Sequence, residues 1–339
     1  MRMGKQTVKL EAAPTISNTA ATVGKKEGEG PLAEDFDVIL DDDYYGEKSW
    51  EKAESKLQEQ TAKLVLQKAG LSESDMNYVL AGDLLNQCVG AHYAMRELDI
   101  PFLGLYGACS TMAESMMIGS MLIGGGLADN ALCVTSSHYC SAEKQYRYPL
   151  EYGGQRAPSA QWTVTGSGAA VLEAQGEGPY IHAVTTGKII DMGISDVNNM
   201  GAAMAPAAAD TLTALFKDTK TMPEDYDLIL TGDLALIGSD VLCELMDKNG
   251  YNIYPMHADC GKMIFNIKEQ DVHAGGSGCG CCGSVFCGHI FKEIKKGNIK
   301  RMILMATGAL MNPMTLFQGE TIPAIAHALV ITTEKEAFF

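Results

Sequence analysis

The chain has 339 residues, 46% of them hydrophobic, enough to bury the cores of two packed domains. Its formal net charge of −16 excludes a general nucleic-acid binder and admits anionic ligands only through a local basic patch. Ten cysteines at irregular spacing suit reduced thiols rather than a disulfide framework.

Met1-Arg2-Met3-Gly4-Lys5 is basic with no apolar stretch behind it, so no signal peptide is expected. No run of roughly 18 apolar residues suggests a membrane span, and the chain reads as soluble. A strand is predicted at 16–23, then a turn-rich loop at 24–31. Residues 49–69 read as an amphipathic helix, with Ala53, Leu57, Ala62, Leu64 and Val65 on one side and Gly70 as its cap. A buried strand at 78–81, a helix at 87–98 and a strand at 102–106 lead into Gly107-Ala108-Cys109-Ser110. The helix expected at 112–122 is apolar on nearly every face and must lie between layers. A strand at 131–135 follows.

Residues 136–161 are polar and aromatic with little period, and loops of that length in a compact domain are usually functional. Strand resumes over 163–173. The second half offers helices at 210–216, 240–248 and 284–296 and strands at 228–231 and 302–306. Helices alternating with short apolar strands mean α/β.

The two halves repeat each other. Asp75 to Leu84, ending Gly82-Asp83-Leu84, returns as Asp225 to Leu234, ending Gly232-Asp233-Leu234. Gly107-Ala108-Cys109-Ser110, a helix, Gly126 and a strand return as Gly278-Cys279-Gly280-Cys281, a helix, Gly297 and a strand. This predicts two similar α/β domains, 1–175 and 176–339, about a pseudo-twofold axis. The helices at 112–122 and 284–296 would be antiparallel and central between two sheets, and the two small-residue elbows should meet.

Cys109 sits just before a helix whose Thr111-x-x-Glu114 has capping-box spacing. A thiol there faces free backbone donors and the positive end of the helix dipole, so a lowered pKa is expected. Asp83 and Asp233 are repeat-related strand-end carboxyls. His138, Lys144, Arg147 and Arg156, with Tyr139, Tyr146, Tyr148, Tyr152 and Trp162, form a basic, aromatic cluster suited to a planar dianion. Salt bridges to Glu143 and Glu151 are the competing use of Arg147 and Arg156. Cys279, Cys281, Cys282 and Cys287 lack zinc-ligand pair spacing, so no metal is expected. Gly275-Gly276-Ser277-Gly278-Cys279-Gly280 lacks the G-K-[ST] ending of a phosphate loop, although its amides could receive a carboxylate.

The duplicated halves, the Gly107–Ser110 elbow and Thr163-Val164-Thr165-Gly166-Ser167-Gly168-Ala169-Ala170 resemble the thiolase and ketoacyl-synthase superfamily. More closely, the whole chain resembles the family of stage V sporulation protein AD. That likeness rests on Gly28-Glu29-Gly30-Pro31-Leu32, Trp50-Glu51-Lys52-Ala53-Glu54, Gly82-Asp83-Leu84-Leu85-Asn86-Gln87, Gly107-Ala108-Cys109-Ser110-Thr111, the 147–156 stretch, Gly275 to Cys281 and Thr307-Gly308-Ala309-Leu310. The resemblance implies a five-layer αβαβα thiolase-like fold and a homodimer paired through edge strands following the first elbow. It also implies a subunit of the spore SpoVA channel that binds dipicolinate, alone or as a calcium chelate. Such a subunit would lie peripheral to the spore inner membrane, beside membrane-embedded SpoVA subunits, without a cofactor.

Condensing enzymes of the superfamily pair the cysteine with a His and an Asn or second His. The corresponding stretches here read Thr231-Gly232-Asp233 and Gly276-Ser277-Gly278, so a non-catalytic binding protein is expected. The ligand-binding set is read as Cys109, Ser110, Asp83, His138, Arg147, Asp233, His273, Ser277 and Gly278. The alternative is an acyltransferase that forms a thioester at Cys109, helped by His273 or His138.

Overall fold

Alternate residues of the long strands serve two different apolar layers. Ala131 and Cys133 pack into a central cluster, while Leu132 and Val134 pack into an outer one. In the second half Met302, Leu304 and Ala306 face the same central cluster, and Ile303 and Met305 face a third. Sheets apolar on both faces must be covered by helices on both sides. The computed structural model, in which residues 1–146 and 156–339 are described, shows that arrangement.

The first half contributes strands β1 (Thr15–Val23), β2 (Tyr78–Gly82), β3 (Phe102–Gly104), β4 (Asn130–Ser137) and β5 (Gly166–Glu173). The second contributes β6 (Tyr180–Thr185), β7 (Leu228–Thr231), β8 (His257–Asp259), β9 (Arg301–Ala309) and β10 (Ala324–Thr332). Their spatial orders are β1-β5-β4-β2-β3 and β6-β10-β9-β7-β8, with the same parallel and antiparallel senses at each step. The pairing Thr15–Tyr180 joins the two five-stranded units edge to edge. Topology thus repeats as the sequence does.

Between the sheets lie α3 (Thr111–Gly124) and a helix that begins at Cys279–Val285, widens into a π turn at Phe286–Ile290 and ends at Phe291–Lys295. Met112, Met116, Val285, Phe286 and Ile290 fill the central layer with side chains from both sheets. Outside the first sheet pack α1 (Trp50–Ala69) and α2 (Val89–Met95); outside the second pack α4 (Met200–Thr219) and α5 (Ala235–Lys248). The result is the expected five-layer αβαβα arrangement.

Several elements differ from expectation. The helix placed at 210–216 begins ten residues earlier, at Met200, with Pro206 tolerated inside its second turn. The stretch at 136–161 contains a helix, Tyr139–Tyr146. The strand following the first elbow, β4, is hydrogen-bonded on both sides, by β2 and β5. It has no free edge for a second chain. The free edge of that sheet is β3, which precedes the elbow.

Candidate functional site

The first elbow is made by Gly107 and by Ala108, whose φ of +50° is a left-handed conformation rare for a side-chain-bearing residue. The Ser110 hydroxyl donates to the Gly107 carbonyl at 2.7 Å, so it is used inside the turn. The expected capping box does not form. Thr111 Oγ1 instead accepts from the Gly107 amide and donates to the Ala108 carbonyl. Glu114 is half-buried, its Oε2 is shielded and unpartnered among the described residues, and burial raises its pKa.

The second elbow reaches this one through Gly278. Its amide lies against both the Cys109 sulfur and the Asp233 carboxyl and favours their ionised forms. Cys279 Sγ donates to the Ala108 carbonyl at 3.0 Å, which ties the elbows together. Cys109 and Ser277 both line a cavity of about 40 Å³, room for one to three waters. Tyr106, Tyr146, Glu143 and Thr163 supply its polar wall, and Leu84, Met200 and Met311 part of its apolar one. The tyrosines close it as a pair: their hydroxyls are 2.8 Å apart, and Tyr146 donates to the Leu84 carbonyl.

Burial overrides the helix end at Cys109. The thiol pKa is well above the ordinary cysteine value, first because the group is dehydrated and then because the Asp233 carboxyl faces it. The amides of Gly278 and of Cys109 itself act in the opposite direction and lose. The expected lowering is therefore corrected: dehydration of the sulfur outweighs the few dipoles aimed at it.

Asp83 and Asp233 occupy matched strand ends but are treated differently. Asp83 accepts from the Leu85 and Ala91 amides at 2.7 and 2.6 Å and serves as a local cap. In the second half that service passes to Asp259, which accepts from the Leu234 and Ala235 amides and from Thr231 Oγ1. Asp233 is left fully buried, and the Gly278 and Thr307 amides that face it complete a full hydrogen bond to neither oxygen. Its pKa is well above the carboxylate range, chiefly from burial and then from the neighbouring Cys282 and Asp259.

The predicted histidines are not brought to the cavity. His138 is 1% exposed; its Nε2 lies 2.7 Å from the Asp43 carbonyl, its Nδ1 accepts from the Cys140 amide, and burial lowers its pKa. It is a neutral structural imidazole and not the expected cation. His273 donates from Nδ1 to the Ala157 carbonyl and places Nε2 3.1 Å from Asp271. Arg147 lies outside the described residues, as do Tyr148 and Tyr152. Among the described residues no imidazole lines the cavity.

Sequence reasoning missed Tyr106, Tyr146 as a closing pair, Thr163 and Met311. The register of Trp162–Thr163 against Gly276–Ser277, which puts Thr163 beside Ser277, has no local signal in the chain.

Two further buried carboxyls stand near the site. Glu54 accepts from Ser136 and Ser141, and burial together with the Asp83 charge raises its pKa to about 8. Glu27 accepts from the Thr165 amide and is likewise pushed to about 8 by burial.

The family model described as Stage V sporulation protein AD matches residues 4–332. Stage V sporulation protein AD of Bacillus subtilis (strain 168) is 47% identical over 327 residues, covering 96% of each chain. Among solved structures, cerulenin-bound OleA of Xanthomonas campestris superposes with a TM-score of 0.60 at 13% identity, over 96% of this chain and 100% of that one. 3-oxoacyl-(acyl carrier protein) synthase III of Pseudomonas aeruginosa PAO1 gives 0.55 at 14% identity, over 96% and 99%. At that identity the structural likeness speaks for the fold alone.

Two outcomes are expected. Glu27 and Glu54 are acids whose folded pKa lies above the unfolded value, so the folded chain binds more protons. Their stabilising contribution is full below about 4.5 and is lost as pH rises through about 8. The thermal midpoint should therefore fall between about pH 5 and about pH 9, and Glu54→Gln should flatten the fall in a calorimetric pH series. Iodoacetamide at about pH 8 should label Cys109 far more slowly in the native chain than after unfolding, read by peptide mass mapping.

Proposed function

The chain belongs to the stage V sporulation protein AD family and has its role in the sporulation SpoVA system; on that premise we propose that it is a non-catalytic binding subunit for dipicolinate. The observation that carries this reading is Cys109 held as an un-ionised thiol beside a carboxyl, with no imidazole on the cavity among the described residues. Acyl transfer needs an ionised sulfur and a proton acceptor that then stabilises the developing charge. Asp233, buried and proton-bearing, offers neither. The elbow retains the small residues and helix-start amides that let a ligand approach the backbone, while the means of activating an acyl group is missing.

Dipicolinate is a flat ring with a carboxylate on either side. The cavity of about 40 Å³ is several times too small for it. Binding therefore separates Tyr106 from Tyr146 and places the ring between the elbows. One carboxylate would meet the Gly278 amide and Ser277, and the other the tyrosine hydroxyls. The membrane-embedded SpoVA subunits are the proposed neighbours of this complex.

A homodimer formed through β3 accompanies the proposal. Leu103 and Tyr106 are 39% and 40% exposed at the strand and just beyond it, and the strand has no partner on its outer side among the described residues. An exposed apolar edge strand is stable against solution pairing only when it is covered.

Titration calorimetry on the purified chain should show dipicolinate binding. Cys109→Ala should weaken it by about tenfold, the loss of one contact of ~1.4 kcal/mol. Incubation with acyl-CoA should leave no stable acyl mass on Cys109. Failure of the parent to bind dipicolinate, or stoichiometric acylation, would overturn the reading. Light scattering at micromolar concentration should give a dimer mass, reduced to that of a monomer by Leu103→Asp.

A further inference from the structure

Tyr139 and Trp162 stack with ring centroids 3.9 Å apart and planes 13° from parallel, so Tyr139 covers one face of the indole. The Lys26 ammonium lies over the same ring at 4.2 Å from its centroid, and the Arg156 guanidinium at 4.6 Å. With one face taken, both cations must rest against the other. Two positive charges so placed oppose each other, and Arg156 indeed disfavours the charged form of Lys26.

Acids stand around Lys26, Asp271 first among them, but neither cation is held in an ion pair among the described residues. All three guanidinium nitrogens of Arg156 are shielded from solvent and make no hydrogen bond among the described residues. The Lys26 ammonium spends one donor on the Gln270 carbonyl at 2.5 Å and makes no ion pair among the described residues. Of the acids around it, Asp271 is engaged with His273 and Glu27 holds its proton with a pKa raised to about 8; Glu29 is the third. A dehydrated guanidinium without an acceptor is among the most costly groups a protein can bury. Here it stands beside a second cation on the indole of Trp162, which with Lys25, Lys26, Tyr139, Glu27, Glu29 and Asp43 lines a surface cleft of about 380 Å³.

We propose that Lys26 and Arg156, held against Trp162, form a binding site for a small oxyanion of the carboxylate or phosphate class. This site is separate from the cavity at Cys109. Trp162 and Thr163 are consecutive residues of one short strand, so their side chains point to opposite sides: Thr163 into the Cys109 cavity, Trp162 into the cleft. The planar fork of Arg156 accepts two oxygens of one anion, and the ammonium supplies a third contact. An anion there supplies the acceptor that the Arg156 guanidinium lacks among the described residues.

The chain has two tryptophans, Trp50 and Trp162, so a Trp50→Phe background leaves the platform as the sole indole reporter. Inorganic phosphate and, separately, succinate are titrated at constant ionic strength while tryptophan emission is followed. A saturable change with either anion is expected, and whichever saturates identifies the class. Lys26→Gln and Arg156→Gln should each weaken it at least tenfold. Arg156→Lys, which keeps the charge without the fork, should recover only part of the loss, with circular dichroism confirming that every variant is folded. No saturable change with either anion would overturn the proposal, as would parent affinity in both glutamine variants.

Discussion

The two halves touch backbone to backbone, and the rest of the molecule depends on that approach. A side-chain carbon at Gly168 of the first half would lie 2.1 Å from the Gly283 carbonyl oxygen in the central helix of the second. One at Gly308, on β9, would lie 2.0 Å from the carbonyl oxygen of Gly107 at the first elbow. No side chain fits either distance, so glycine is what lets each central helix and each elbow settle against the opposite sheet. The two elbows then have one possible location, opposite each other at the pseudo-twofold axis. The buried sulfur, the buried carboxyl and the small cavity all follow from it.

Duplication supplies symmetry, and the site exists where that symmetry is broken. At one strand end Asp83 is satisfied by two amides and merely holds its turn. At the matched strand end Asp259 has taken over the amides, which frees Asp233 to stand unpartnered against Cys109. Burial raises both carboxyls, to about 6 at Asp83, where two amides oppose it, and well above the carboxylate range at Asp233. The first stays hydrogen-bonded near its ordinary role; the second must carry a proton in a place without water. An elbow built this way can receive a ligand without activating it.

Much of the fold was legible because periodicity and repetition are properties of the chain itself. The offset between Gly82-Asp83 and Gly232-Asp233 announced the paired sheets, and the all-round apolarity of 112–122 announced a helix between layers. Where the chain misled, tertiary context had outweighed a local rule. The first ten residues of α4 hide behind Pro206 and a run of alanines with no amphipathic period, because that helix is buried on most sides. Thr111 and Glu114 have the spacing of a capping box, but the Gly107 turn claims the threonine first. The acidity expected of Cys109 followed from its place at a helix start, and only burial, which no short motif encodes, reverses it. His138 read as a cation from its basic neighbours, yet its two ring nitrogens are consumed by Asp43 and Cys140.

The short ladder of Trp162–Thr163 against Gly276–Ser277 separates two environments that the sequence had merged into one basic, aromatic segment. On one side Thr163 donates to Glu143 and, with Ser277 and Cys109, shapes a small cavity without a cation from the described residues. On the other, Trp162 gathers Tyr139, Lys26 and Arg156 into a positively charged stack. Strand alternation alone enforces this division, since neighbouring residues cannot face the same way. Cation and thiol, which composition would place in a single anion pocket, are therefore held apart by the width of one strand.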